Sequence, residues 1–151
     1  LADFFIVLIF GNKPAFMIKI SDLKEGDVVR VLFDGEERDG IITDVDREEN
    51  QAQIDNGIQE FWYGPADIVP VPMTEDRLIN ILGFEKEEIP EGVKFKKGAF
   101  RVVVKDPGNY TDIDLWYRED HRHFNHALYL HELQNHHLDM TKVQLERSGV
   151  H

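Results

Sequence analysis

The chain has 151 residues, with 29 Asp and Glu against 17 Lys and Arg, a formal net charge of −12, and no cysteine. That length makes one domain or two small ones, with enough chain to bury a real core. The missing thiols exclude disulfides and thiolate metal sites and fit a cytoplasmic setting, while the net acidity disfavours non-specific adhesion to nucleic acid or anionic membrane.

Leu1 to Phe10 is apolar except for Asp3, and Gly11-Asn12-Lys13-Pro14 follows as a turn. Such a run is too short for a membrane-spanning helix, which needs about 20 residues, and no basic stretch precedes it as in a signal peptide. No membrane association is expected. Residues 1–16 read as upstream or expression-derived sequence ahead of a natural start at Met17, or else as an extra strand through Phe4 to Phe10.

Residues 17–72 hold four or five short apolar runs. Turn formers separate them at Asp34-Gly35, Asp39-Gly40, Glu49-Asn50, Asn56-Gly57 and Gly64-Pro65. Gly and Asn accept positive φ, and Pro ends strand pairing. The spacing predicts a small SH3-like antiparallel barrel. Its acidity is pronounced, with 14 Asp and Glu against 5 Lys and Arg, compared with 14 against 11 from Met73 onward. Phe61 and Tyr63 fall on one face of their strand and Trp62 on the other. Phe33, Phe61, Trp62 and Tyr63 are candidates to line a peptide-binding groove, although aromatic residues in small barrels more often form core.

Residues 73–146 predict an α+β unit of helix, three strands and helix, with 147–151 as a tail. Thr74 reads as an N-cap, Leu78, Ile79, Ile81 and Leu82 as an apolar stripe, and Gly83 as the helix stop. A hairpin over Val93 to Lys105, turning at Lys97-Gly98, would pair Phe95 with Phe100 and Val93 with Val102. Its other face carries Lys94, Lys96, Arg101 and Lys105, a basic stripe able to contact phosphate unless Asp112 and Asp114 on the next strand neutralise it. That third strand turns Ile113, Leu115 and Tyr117 inward. A last helix is expected over about residues 125–140, with Leu130, Leu133, His137 and Met140 along one face. Val143 and Leu145 then form a short edge strand or fray.

Six of the seven histidines lie between His121 and His137. His131-Glu132 followed by His136 has the wrong spacing for a zincin, whose two histidines stand four apart. Glu119, His123 and His126 would align on a helix as two-His-one-carboxylate ligation. The bland reading, solvated or hydrogen-bonded imidazoles near a helix start, carries more weight, and no cofactor is expected. The only serines, Ser21 and Ser148, lack a nucleophile-elbow context.

The order D-L-K-E-G-D (22–27), V-P-V-P-M-T-E-D-R-L (69–78), I-L-G-F-E-K (81–86), K-K-G-A-F-R-V (96–102) and Y-L-H-E-L-Q-N (129–135) resembles a set of small phage- and prophage-associated bacterial proteins. The resemblance singles out His131, Leu133, Gln134 and Asn135 as motif positions and implies no particular activity. The chain departs from that pattern after Asn135, where His136-His137-Leu138-Asp139 replaces an aromatic, apolar continuation. Gln134 and His131 are then candidates for buried polar groups tying the last helix to the barrel. Together these features point to a non-catalytic module that binds another protein. A nucleic-acid role, through acidic mimicry or the basic hairpin, is the first alternative, and a metal-dependent enzyme built on the histidines is the second.

Overall fold

The computed structural model describes residues 17–148; both readings of residues 1–16 lie outside the described residues. The architecture is α+β, with two five-stranded antiparallel sheets and two α-helices. The first sheet contains β1 (Val28–Phe33), β2 (Glu36–Asp46), β3 (Gln51–Asp55), β4 (Glu60–Tyr63) and β5 (Ile68–Val69), in the order β4-β3-β2-β1-β5. It is open, because β4 and β5 form its two edges and do not pair. It nevertheless curls. Phe33 at the end of β1 stacks on Phe61 of β4 at 5.4 Å, although β2 and β3 stand between those strands in the ladder. The concave side holds Val29, Val31, Ile42, Ala52, Ile54, Tyr63 and Ile68, closed at one end by Ile18, Ile20 and Leu23.

Asp39-Gly40 is not a turn. β2 runs straight through it, and Gly40 is there for space: a Cβ would lie 2.5 Å from Ile54 Cγ2. Further along β2, a bulge between Ile42 and Asp44 shifts the register. Ile42 is therefore fully buried, and Asp44 faces solvent on the side opposite.

The second sheet is a five-strand meander rather than three strands: β6 (Glu85–Ile89), β7 (Gly92–Lys97), β8 (Phe100–Asp106), β9 (Asn109–Tyr117) and β10 (Asp120–Phe124). β6 and β10 are its edges. Their sequences, EKEEI and DHRHF, carry no apolar alternation, because edge strands with one ladder partner and little core contact need none. The β7–β8 turn falls at Gly98-Ala99, so Phe95 pairs with Val102 and Val93 with Val104. Gly98 takes the positive φ of 62° that the expected turn would have imposed on Lys97. The inward set is unchanged by this slip of the turn, since the pairing moves by two residues in all.

Helix α1 (Glu75–Asn80) starts at Thr74, whose Oγ accepts from Arg77 N at 3.2 Å, and the chain leaves it through Gly83 at φ 78°. Helix α2 (Leu130–Thr141) starts later than expected, because residues 125–129 form the connection from strand β10 (Asp120–Phe124) to it. Glu132 Oε1 accepts from Tyr129 N at 2.8 Å, and Leu130 N donates to Val71 O at 2.8 Å. Leu78 and Leu82, with Leu130, Leu133, His137 and Met140, cover the inner face formed by Val93, Phe95, Phe100, Val102, Val104, Ile113 and Leu115.

The segment after α2 is neither strand nor frayed end. Leu145 is buried, and Ser148 N donates to Ile81 O at 2.7 Å, capping α1. Gln134 joins this strap to both lobes. Its side chain is fully buried; Oε1 accepts from Val28 N at 2.8 Å, and Nε2 donates to Gly26 O at 3.0 Å and Leu145 O at 2.7 Å. Removing such a group strands a buried donor and two acceptors, at a cost of about 1–3 kcal/mol for each unsatisfied group. Gln134→Leu is expected to lower unfolding free energy by about 3 kcal/mol in a urea titration. A change under about 0.5 kcal/mol would show that the joint is not built this way.

Candidate functional site

The two segments D-L-K-E-G-D and Y-L-H-E-L-Q-N meet in space. Beside Gln134, Asn135 Nδ2 donates to Asp22 O at 2.9 Å, and Asn135 Oδ1 accepts from Lys24 Nζ at 2.7 Å. The same ammonium reaches Asp27 Oδ1 at 2.6 Å, and Gln144 Nε2 donates to that oxygen at 3.1 Å. Burial pushes the fully enclosed Asp27 carboxyl up, and Lys24 and Gln144 offset only part of this. His131 is fully buried and stacks on Tyr129 at 6.1 Å. Desolvation holds its imidazole down at about 4, with Asp22 opposing and Lys24 adding to the effect. His131 and Gln134 are therefore enclosed, with Leu133 in the core behind them and Asn135 half-buried at the margin of the joint.

The histidines disperse into separate surroundings. His121 Nε2 and His123 Nδ1 each lie 2.8 Å from Asp114 Oδ1 on the outer face of the second sheet. His126 is in the loop after β10, which breaks the helical alignment with Glu119 and His123. His136 lies 2.9 Å from an Arg122 nitrogen and packs on Phe124. His137 is in the core against Phe100, its Nδ1 donating to Val143 O at 2.7 Å. Thr141 Oγ approaches His137 Nδ1 at 3.3 Å but bonds the His137 carbonyl at 2.8 Å, so this pair closes the helix end. Among the described residues, no three His, Asp or Glu side chains are arranged to hold a metal ion.

The outer face of the second sheet is charge-compensated. Lys94 and Lys96 lie 3.3 and 3.8 Å from Glu87 on β6, the strand that the sequence pattern does not announce. Lys105 lies 3.8 Å from Asp112 and 3.6 Å from Asp114. Burial raises the Asp114 carboxyl, but hydrogen bonds from His121 and His123 and the Lys105 charge outweigh it, so it rests below the ordinary range. Arg101 sits 5.6 Å over the Trp116 ring and donates to Arg118 O at 2.6 Å, while Trp116 stacks on His121 at 4.2 Å. The basic stripe is thus taken up by neighbours on both sides.

The four aromatic candidates do not form one groove. Tyr63 is core, its hydroxyl accepting from Asn56 Nδ2 at 3.0 Å. Phe33 and Phe61 stack at the rim of the concave side, with the Arg38 guanidinium 6.0 Å from the Phe33 ring. Trp62 points the other way and is 43% exposed. Cross-strand register places Asp44, Gln53 and Trp62 in one row of the convex face and Ile41, Asp55 and Glu60 in the next. Asp46 shares that face, two residues beyond Asp44 on β2. In the β3–β4 turn, Ile58 is 59% exposed. Asp44, Asp55 and Glu60 are exposed, Asp46 is half-buried, and none of the four makes an ion pair among the described residues. Asp46 Oδ1 instead accepts from Glu48 N and Glu49 N, and Asp55 Oδ1 from Gly57 N. Further along the same face, a cleft of about 590 Å³ is lined by Arg30, Arg38, Asp39, Asp55 and Arg147, with Arg30 held 3.1 Å from Asp39. Only the exposed Trp62 stood out in the sequence; the carboxylates around it depend on strand register and on the bulge.

No protein-family model, curated protein or solved structure matches the chain.

Two outcomes follow from these charges. An unfolded histidine takes its proton near 6.5 and folded His131 only near 4, so falling pH removes stability through that window. Asp27, raised by burial, acts in the opposite sense, gaining stability as pH falls through its folded value. Wild type is therefore expected to lose about 3 kcal/mol more than His131→Gln between about pH 7 and pH 4 in urea titrations; parallel profiles would refute a buried neutral imidazole. In a gel-shift assay near physiological salt, the protein is expected not to retard duplex DNA. Salt-sensitive retardation abolished by Lys94→Glu/Arg101→Glu would show that the stripe is free.

Proposed function

We propose that this chain is a non-catalytic module that binds another protein in the cytoplasm, of phage or mobile-element origin, built on an SH3-like variant of a small barrel. The curl of the first sheet and the short 3₁₀ turn (Pro65–Asp67) before its last strand support the barrel relationship. The resemblance in the D-L-K-E-G-D, T-E-D-R-L and Y-L-H-E-L-Q-N segments supports the origin. Among the described residues, no helix is long and apolar enough to cross a membrane.

The observation that carries the reading is Trp62 itself. A tryptophan buries a large area when covered, and it is over-represented at protein interfaces because one residue combines apolar surface with an N–H donor. Here it is solvent-exposed on β4, the outermost strand of its sheet, whose far side has no strand partner among the described residues. An unpaired edge offers backbone donors and acceptors to an added strand. The chemistry available is thus recognition rather than bond-making.

Tagged wild-type and Trp62→Ala proteins, recovered from host cells with and without nuclease and analysed by mass spectrometry, test this. A near-stoichiometric protein partner that survives nuclease and is lost from Trp62→Ala is expected. A partner set that disappears with nuclease, or is the same for both proteins, would overturn the reading.

A further inference from the structure

The two sheets treat their charges differently, and the difference bears on what Trp62 binds. On the second sheet, Lys94, Lys96 and Lys105 lie within ion-pair distance of Glu87, Asp112 or Asp114. On the first, Asp44, Asp46, Asp55 and Glu60 share the convex face with Trp62 and have no such partner among the described residues, although Arg30 and Arg38 pair with Glu36, Glu37 and Asp39 nearby. The nearby cations are Arg47 in the β2–β3 turn and, lining the cleft with Asp55, Arg30, Arg38 and Arg147; Arg30 is engaged by Asp39 at 3.1 Å and Arg38 by Glu36 at 3.8 Å. This face belongs to a lobe with 14 acidic against 5 basic side chains.

We infer that the convex face around Trp62 and the β4 edge docks an extended, lysine- or arginine-bearing segment of a protein partner. The inference rests on the proposed binding role and names the chemistry of the partner. Three features converge on it. The β4 backbone edge selects an extended chain, because only a strand can satisfy alternating N–H and C=O groups along it. The exposed Trp62 ring attracts a cation through its quadrupole, an interaction that strengthens as the pair is desolvated. The uncompensated carboxylates raise the local concentration of cationic segments and speed their encounter. Side chains of an added strand alternate between faces, so every second residue projects over the Trp62 side. A basic residue there meets Glu60 on β4, with Asp55 one strand and Asp44 two strands further in, whereas an acidic one meets like charge. Ile58, exposed at the tip of the β3–β4 turn, adds apolar contact at one end of the strand.

The test uses synthetic peptides of alternating lysine and threonine, and of alternating glutamate and threonine, titrated into the full chain. Trp116→Phe in the background leaves Trp62 as the sole tryptophan reporter. The lysine peptide is expected to shift Trp62 emission and bind saturably, with affinity falling about tenfold between about 50 and 300 mM salt. The glutamate peptide is expected to leave the emission unchanged. Asp44→Asn/Asp55→Asn/Glu60→Gln is expected to weaken the lysine peptide at least about tenfold while keeping the fold, since all three side chains are solvent-exposed. Equal response to both peptides, no response to either, or undiminished binding by the triple variant would overturn the inference. The last outcome would mark the lysine peptide as a general polycation attracted by a net charge of −12. If host cells yield a Trp62-dependent partner while the lysine peptide does not bind, the module reading stands and the cationic partner falls. If neither is seen, both fall.

Discussion

The side-chain amide of Gln134 is the constraint on which the rest of the molecule depends. It uses both ends at once, accepting from the first residue of β1 and donating to the loop before β1 and to the C-terminal strap. A carboxylate in its place would lose both donors and bring a buried charge; an apolar side chain would leave three backbone groups without partners. Around it, Asn135, Lys24, Asp27 and Gln144 form a connected polar cluster in which each member contacts at least one other. Polar networks of this kind hold elements in one register because any slip breaks several bonds together. The two apolar cores meet at this seam: Val28 packs with the second-sheet core, and Val29, the next residue, with the first.

With the lobes fixed by that joint, their outer surfaces play different parts. The second sheet is a compensated surface. Its edge strand β6, three glutamates and a lysine in five residues, supplies counter-charge to β7 and also blunts an otherwise open edge. Each exposed ion pair contributes little to stability, about 0–1 kcal/mol, so their main effect is to leave no strong field for a nucleic acid. The first sheet pairs Glu36, Glu37 and Asp39 with arginines but, among the described residues, leaves Asp44, Asp46, Asp55 and Glu60 without an ion pair beside an exposed tryptophan. Stability alone does not call for that arrangement, since the buried apolar side chains lie in the two cores beneath it.

Much of the fold was legible. Turn chemistry placed five strands between Val28 and Val69, and Thr74 with Gly83 bracketed α1. The 3.6-residue stripe of Leu130, Leu133, His137 and Met140 named the buried face of α2. The misses have separate causes. β6 and β10 are held by ladder bonds and charge pairing, so their strand character has no hydrophobic period to detect. Gly40 looked like a turn because glycine's need for space is indistinguishable in sequence from its tolerance of positive φ. The site was less legible still: Phe61, Trp62 and Tyr63 divide between faces as their order requires, but the company that Trp62 keeps depends on a bulge at positions 42–44.

The span of the joint has a consequence for how the molecule is made. Gln134 and Val28 are 106 residues apart, and Gln144 and Asp27 are 117 apart. During synthesis, β1 emerges with its first amide lacking Gln134 and with the Asp27 carboxylate held only by nearby Lys24, until the last helix and the strap after it leave the ribosome. Contacts of such separation close slowly, because the intervening loop must lose entropy before any bond forms. The N-terminal lobe therefore passes through translation as a solvated, strongly acidic curl of strands. Its charge then keeps nascent chains apart during the interval in which their unpaired β edges are most exposed to one another.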